Sequence, residues 1–224
     1  VQNPPMDAWH DTTHDLCSHD ALRALYPAPQ RPAATATLDK ECDHIHPIYR
    51  PFIEALPWCV LATRNSETGA LDLSPRGDAG AAKLIKVVDD GRTLLLPDRR
   101  GNNRIDTLRN LAADPEIGLL FLIPGVGEAI RVQGRARISA HPELCDRFAM
   151  DGDRRPRSVL VIQVHKCFFQ CARASKRSGL WRAETQVARA SLPSTGSVLK
   201  ALSAGFDAAG YDAVLDQRQQ QTLY

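Results

Sequence analysis

The chain has 224 residues, 43% of them apolar and 24% charged, with a formal net charge of +2. That suits one globular domain with an arm or tail, and is too balanced for a general nucleic-acid or membrane-surface binder. No apolar run approaches the roughly 20 residues that span a bilayer, and the cysteines (17, 42, 59, 145, 167, 171) lack scaffold-like spacing, so reduced thiols are the default. In chain order, residues 1–33 are polar and proline-rich and carry neither a basic n-region nor an apolar h-region, which sets cytoplasm as the expected compartment. One short helix is predicted there over Asp15–Tyr26, ended by Pro27. Asp43–Leu56 is predicted as a helix with Ile45, Ile48, Phe52, Ile53 and Leu56 on one face, its start restricted by Pro47 and Pro51.

Strands follow. Trp58–Thr63 is a compact apolar run, Asn65–Gly69 a turn, and Ala70–Ser74 its antiparallel return. Ala82–Val88 and Arg92–Pro97 form a hairpin through Asp89-Asp90-Gly91. Ile105, Leu108 and Leu111 mark a helix that stops at Asp114-Pro115. Ile117–Ile123 is continuously apolar, as a fully buried strand would be, and Ala129–Ile138 alternates as a half-buried one. His141–Met150 reads as a short helix and Ser158–His165 as the last clear strand. Residues 188–224 read as linker and then a helix rich in Ala and Gln. Six or so short strands with peripheral helices predict a mainly β (α+β) domain, a small barrel or sandwich. The domain scheme is an arm with a short helix over 1–44, a body over 45–187 and a helical tail over 188–224.

Two basic turns stand out, Arg76-Gly77-Asp78 and Asp98-Arg99-Arg100-Gly101-Asn102-Asn103-Arg104. The second feeds a helix start, where Asn102 or Asn103 could cap and leave N–H groups for an anion. Arginine forks beside such N–H groups suit a phosphate, although the same residues also suit solvated loops. Other constellations are weak. Nucleophile-elbow, Walker and zinc-protease motifs are missing, and the Gly125/Gly127 pair precedes a strand rather than a helix. Cys42-x-His44-x-His46 and the His10/His14 pair show no fourth ligand for a metal. Cys167 and Cys171 could share a helical face but are not a C-x-x-C pair.

In order along the chain stand Ser74-Pro-Arg-Gly-Asp78, Leu94-Leu-Leu-Pro-Asp98, Gly101-Asn-Asn-Arg104, Leu108-Arg-Asn110, Asp114-Pro115, Gly118–Gly125, Arg131–Ala136, Cys167–Cys171 and Ser178-Gly-Leu-Trp181, with a closing Leu223-Tyr224. This set resembles the pyridoxamine 5′-phosphate oxidase-like, FMN-binding split-barrel superfamily, and within it the bacterial "PPOX class" branch, over about residues 45–185. The resemblance implies a six-stranded antiparallel split β-barrel and a homodimer with FMN at the subunit interface. It implies that Arg76 and the Asn102, Asn103, Arg104 turn hold the FMN phosphate with Ser74 as a neighbouring cofactor-binding residue, Leu94–Leu96 behind the ring, and Trp181 and Arg182 closing the site. Arg131 or Arg135 is the candidate positive group near flavin N1. The implied activity is hydride transfer between flavin N5 and a small molecule, with NAD(P)H a candidate donor. The alternatives are a flavin carrier without a substrate, or a split barrel that takes deazaflavin or haem, His44, His46 and His165 being the candidate axial ligands. Authentic pyridoxamine-phosphate oxidases carry an Arg-x-Val-Leu-Leu-Lys strand, a Gly-Ser-Arg-Lys turn and a C-terminal Arg and His. Here Leu73–Asp78 and Gly101–Arg104 stand instead, so the resemblance implies FMN without implying pyridoxal-phosphate synthesis.

Overall fold

In the computed structural model, residues 12–26, 28, 39–55, 57–78, 84–150 and 154–223 are described. His10, Pro27, Leu56, Tyr224 and the start of the Ala82–Val88 strand lie outside them. The chain divides into two compact units, Val1–Lys40 and Glu41–Tyr224. In the first, helix α1 (His19–Leu25) starts at Ser18, whose hydroxyl accepts the Ala21 N–H at 3.1 Å. The hydroxyl takes one of the helix-start donors that the helix itself leaves unmatched.

The second unit is built on one antiparallel sheet of β1 (Trp58–Arg64), β2 (Leu71–Gly77), β3 (Lys86–Val88), β4 (Thr93–Pro97), β5 (Glu116–Leu122), β6 (Ala129–Ser139) and β7 (Val159–Gln170). The strand order is β2-β1-β5-β6-β7-β4-β3. This corrects the expected six-stranded split barrel: among the described residues the sheet has seven strands and no ladder joins β2 to β3, so it stays open between its two ends. The reason is polar. Along β2 the side chains that alternate with the exposed Leu71, Leu73 and Pro75 are Asp72, Ser74 and Arg76, half-buried and bonded to a helix rather than to another strand. Charged groups of this kind keep their hydration or find hydrogen-bond partners before they enter a dry strand interface.

One face of the sheet carries the main core. Cys59, Leu61, Leu94, Leu96, Leu119, Phe121, Ile130, Val132, Ile162 and Cys167 pack in one cluster with Ile45, Tyr49 and Ile53 from the segment before β1. Strand β4 is buried on both faces, because α4 (Pro142–Asp146) and the turn after it bring Cys145 and Phe148 against Leu95 and Val159. The β6–β7 pair slips by one residue at Gln133/Gly134. A Cβ on Gly134 would collide with the Gln163 carbonyl, so the bulge requires glycine there.

Several predicted elements differ in extent. The helix expected over 43–56 is only α2 (Arg50–Glu54), with Pro51 in its first turn and Ile48 exposed. Pro47 disfavours helical geometry for the residue before it, while Pro51 fits the first turn of α2, where its missing N–H costs no helix bond. Before α2, Cys42 forms a β-bridge with Cys167, the chain bends at Asp43 and His44, and the Ile45 N–H donates to the Gly91 carbonyl at 2.8 Å. The β5 strand alternates rather than being buried throughout, with Ile117, Leu119 and Phe121 inward and Gly118, Leu120 and Leu122 half-buried. The last strand, β7, runs on to Gln170, so Cys167 is a strand residue and Cys171 follows the strand's end. After it come α5 (Arg173–Ser178), α6 (Thr195–Leu202) and α7 (Ala208–Gln221). Among the described residues no helix is long and apolar enough to cross a membrane.

Candidate functional site

Helix α3 (Asp106–Ala113) is set against the sheet by Asn110, which is buried and donates to Thr63 Oγ1 at 3.1 Å and to Asp72 Oδ2 at 3.0 Å. That anchor aims the first turn of α3 at the middle of β2. There Thr107, itself buried, closes a triad: Arg76 Nη1 donates to Ser74 Oγ at 3.0 Å, Arg76 Nη2 donates to Thr107 Oγ1 at 3.0 Å, and the two hydroxyls are 3.1 Å apart. A third bond, from Arg76 Nη1 to the Pro75 carbonyl at 2.8 Å, fixes the guanidinium.

The helix start is unusual. Its N-cap is Ile105, in left-handed conformation (φ 53°) with no side-chain cap, and Asn103 is left-handed as well (φ 58°). The expected capping by Asn102 or Asn103 is therefore corrected. Asn102 Oδ1 instead accepts the Arg104 N–H at 3.1 Å, a local turn that competes with capping. The first-turn N–H groups of α3 are thus left by the helix facing the cleft. Two left-handed residues so close together cost free energy that only a surrounding constraint sustains, and such strain gathers at binding sites.

These residues line a cleft of about 1130 Å³ between β2, the loop after β4, the start of α3 and the Arg154–Arg157 segment. Among the described residues its lining includes seven arginines and three aspartates. The excess of arginine over aspartate in that lining favours a negatively charged occupant over a positive one. Ser74, Arg76, Asn102, Asn103 and Arg104 all lie on it. Thr107, Arg154, Arg155 and Arg157 also line it and escaped the sequence analysis. Thr107 was hidden because its hydroxyl meets Arg76 only once α3 folds back on β2; the Arg154-Arg155-Pro156-Arg157 run was visible as a basic cluster but stands far along the chain.

Some of the cleft arginines are held by other groups of the chain. Arg99 Nε pairs with the fully buried Asp78 carboxylate at 2.7 Å and its Nη1 donates to the Phe148 carbonyl at 2.8 Å. This strut ties the end of β2 to the loop after β4. Arg104 pairs with Asp106 at 2.8 Å on an exposed surface. Asp98, at the cleft, is held above the ordinary carboxylate range by burial, an effect that Arg76 and Arg157 oppose. Trp181 and Arg182 do not line the cleft in this chain; the Trp181 indole N–H donates to the Val126 carbonyl at 2.8 Å. Arg131 lies over the Phe168 ring at 4.8 Å and Arg135 pairs with Glu116 at 2.6 Å, both away from the cleft. None of His44, His46 and His165 lines it either, and among the described residues no cluster of metal-ligating side chains occurs.

Comparison with known proteins gives one family match: residues 45–171 fit the model described as pyridoxamine 5′-phosphate oxidase. No curated protein matches the chain. Among solved structures, HupZ from Group A Streptococcus is similar at 19% identity and a TM-score of 0.43, covering 55% of this chain and 93% of that one. A Clostridium acetobutylicum protein related to general stress protein 26 is similar at 14% identity and a TM-score of 0.41, covering 55% and 84%. Atu2129 from Agrobacterium tumefaciens is similar at 14% identity and a TM-score of 0.38, covering 66% and 60%.

Proposed function

The chain belongs to the pyridoxamine 5′-phosphate oxidase family, and from that premise we propose that it is an FMN-dependent oxidoreductase acting on a small molecule. The carrying observation is the Ser74–Arg76–Thr107 triad at the start of α3, inside a cleft where arginine outnumbers aspartate. In this reading Arg76 and the first-turn N–H groups of α3 receive the phosphate, and the Ser74 and Thr107 hydroxyls hold the guanidinium in place for it. The Asn102–Arg104 turn closes over it from the solvent side. Bound FMN would supply a hydride acceptor and donor at N5, with NAD(P)H a candidate partner. Trp181 and Arg182 belong to this proposal as residues that close the site from a second subunit.

A homodimer is part of the same reading. On the outer face of β2-β1-β5, Leu71 and Leu73 are 75% and 67% exposed. Beside them run Val60, Ala62, Leu120 and Leu122, half-buried and aligned by the strand register. A contiguous apolar sheet face of this kind suits a second copy of the chain. The six cysteines carried as thiols support a cytoplasmic location. The division into an arm over 1–44, a flavin domain over 45–187 and a tail over 188–224 is proposed with it.

One observation favours a second reading, a flavin carrier with no substrate of its own. The titratable side chains among the described cleft residues are aspartates and arginines only, so no histidine, cysteine, tyrosine or lysine stands ready to move a proton. Turnover with NAD(P)H and an artificial acceptor separates the two. For the cofactor itself, FMN and riboflavin affinities are compared in the wild type and in Arg76→Ala. The wild type is expected to prefer FMN, and the variant to lose about 10- to 100-fold of that preference, the worth of a charge-assisted hydrogen-bond set. Equal binding of both flavins by the wild type, or no flavin bound, would sink the proposal.

A further inference from the structure

Cys42 and Cys167 stand directly opposite each other in an isolated antiparallel bridge. They exchange both main-chain hydrogen bonds: the Cys42 N–H donates to the Cys167 carbonyl at 2.9 Å, and the Cys167 N–H to the Cys42 carbonyl at 2.7 Å. In such a pair the α-carbons lie about 5.5 Å apart and both side chains leave the same face. A disulfide spans α-carbons about 4.4–6.8 Å apart. Tyr49 is close enough to both sulfurs that charge on either adds to the upward push that burial gives its phenol. Cys167 and Tyr49 belong to one core cluster, with Cys42 and Phe169 packed against it, the Phe169 ring 6.4 Å from that of Tyr49.

Their surroundings differ. Cys167 is wholly buried in β7, and burial pushes its thiol up to about 12. Cys42 is half-buried at the rim. It sits on the strap Glu41–Tyr49, which is held to the body by the Glu41–Lys166 ion pair at 2.7 Å and the Ile45–Gly91 hydrogen bond. The rim thiol is the one a small oxidant reaches, and the buried one is placed to close on it.

We propose that Cys42 and Cys167 are an oxidation site, forming a reversible disulfide that latches the Glu41–Tyr49 strap onto β7 when a hydroperoxide is present. In the first step the Cys42 sulfur attacks one peroxide oxygen; the O–O bond breaks, Cys42 becomes a sulfenic acid and water (or an alcohol) leaves. In the second, the Cys167 sulfur attacks the sulfenic sulfur, the S–O bond breaks and a second water leaves with the Cys167 proton. Two thiols and one hydroperoxide thus give one disulfide, with the peroxide as the sole species reduced. A directly opposed hydrogen-bonded pair holds its β-carbons near the wide end of about 4.5–5.5 Å, against about 3.8 Å in a relaxed disulfide, so the strap must close slightly on β7 to form the bond and thiols reopen it readily.

The test uses the full chain carrying Cys17→Ser and Cys171→Ser, which removes the exposed competing thiols. It is treated with stoichiometric hydrogen peroxide, alkylated under denaturing conditions and mapped by mass spectrometry without reductant. The expected product is a Cys42–Cys167 cross-linked peptide, lost with dithiothreitol and absent in a further Cys42→Ser variant. The latched protein is expected to melt about 5 °C or more higher than the reduced one. A Cys42 carried on to sulfinic acid beside an alkylatable Cys167, a Cys42 that does not react, or a Cys42 bridged to another chain would overturn the assignment.

Discussion

Asp98 and Arg76 are neighbours with opposite effects on the cleft. Burial holds the Asp98 carboxyl above its ordinary value, and Arg76 and Arg157 only partly offset that push. A carboxyl whose folded value is raised contributes stability that is complete below its unfolded value near 3.8 and disappears as pH rises through the folded value. At neutral pH the wild type therefore bears the cost of an ionised Asp98. Asp98→Asn should melt higher than wild type at pH 7, should lose the wild type's decline in stability between pH 4 and 7, and should bind FMN about 2- to 10-fold more tightly. Thermal melts across that pH range beside an FMN titration check this; a variant less stable than wild type at pH 7 would show that the carboxylate makes a bond that outweighs its burial. The Asn102, Asn103 and Arg104 turn shows what sequence can say at this scale. Its basic character and its place before a helix were legible, because arginine, asparagine and glycine punctuate a chain openly. That Asn102 serves the Arg104 N–H and leaves α3 uncapped was not, since an asparagine at that spacing suits either arrangement.

The elements around the cleft are tied by the Arg99–Asp78 strut, which joins the end of β2 to the loop after β4. Arg99→Ala leaves a buried carboxylate without its guanidinium, and breaking a buried pair from one side costs about 3–5 kcal/mol. Chemical denaturation should show a loss of that size, and Asp78→Asn combined with Arg99→Ala should recover part of it; a loss below about 1 kcal/mol would mean that water reaches Asp78. The strut was partly legible. Both residues were conspicuous as members of basic turns, but the pairing spans two strands that are far apart in sheet order. Most strands could be placed from alternation and turn residues, and β1, β4 and β6 fall close to their predicted bounds. The ends of β7 and α2 could not, because Phe168 and Phe169 suit a strand or a helix equally and the two prolines after His46 restrict a helix without saying how far.

For the molecule as a whole, the exposed Leu71 and Leu73 on the β2 edge are the features that a monomer explains least well. Leu73→Glu places a charge at the centre of that face while leaving the side chains of Asp72 and Ser74 on the other side of the strand. Sedimentation is expected to give a dimer for the wild type and a monomer for the variant with an unchanged circular dichroism spectrum; a wild-type monomer, or a variant dimer, would reject this face as the contact. Why the sheet is open could not be read from alternation, which gives strands but no closure: closure is decided by whether β2 finds β3, and the charges that keep them apart act only in three dimensions. The strand order has a further consequence, for the time course of folding. β1 and β2 are joined by a tight turn and can zip early, whereas β4 finds β7 by matching Thr93 with Gln163 and Pro97 with Val159, residues far apart along the chain. That closure must wait for β5 and β6 to bring the far partner round. While the chain is being synthesised, the β3–β4 hairpin leaves the ribosome well before its partner exists, with Leu94, Leu95 and Leu96 still uncovered and open to wrong contacts over that interval.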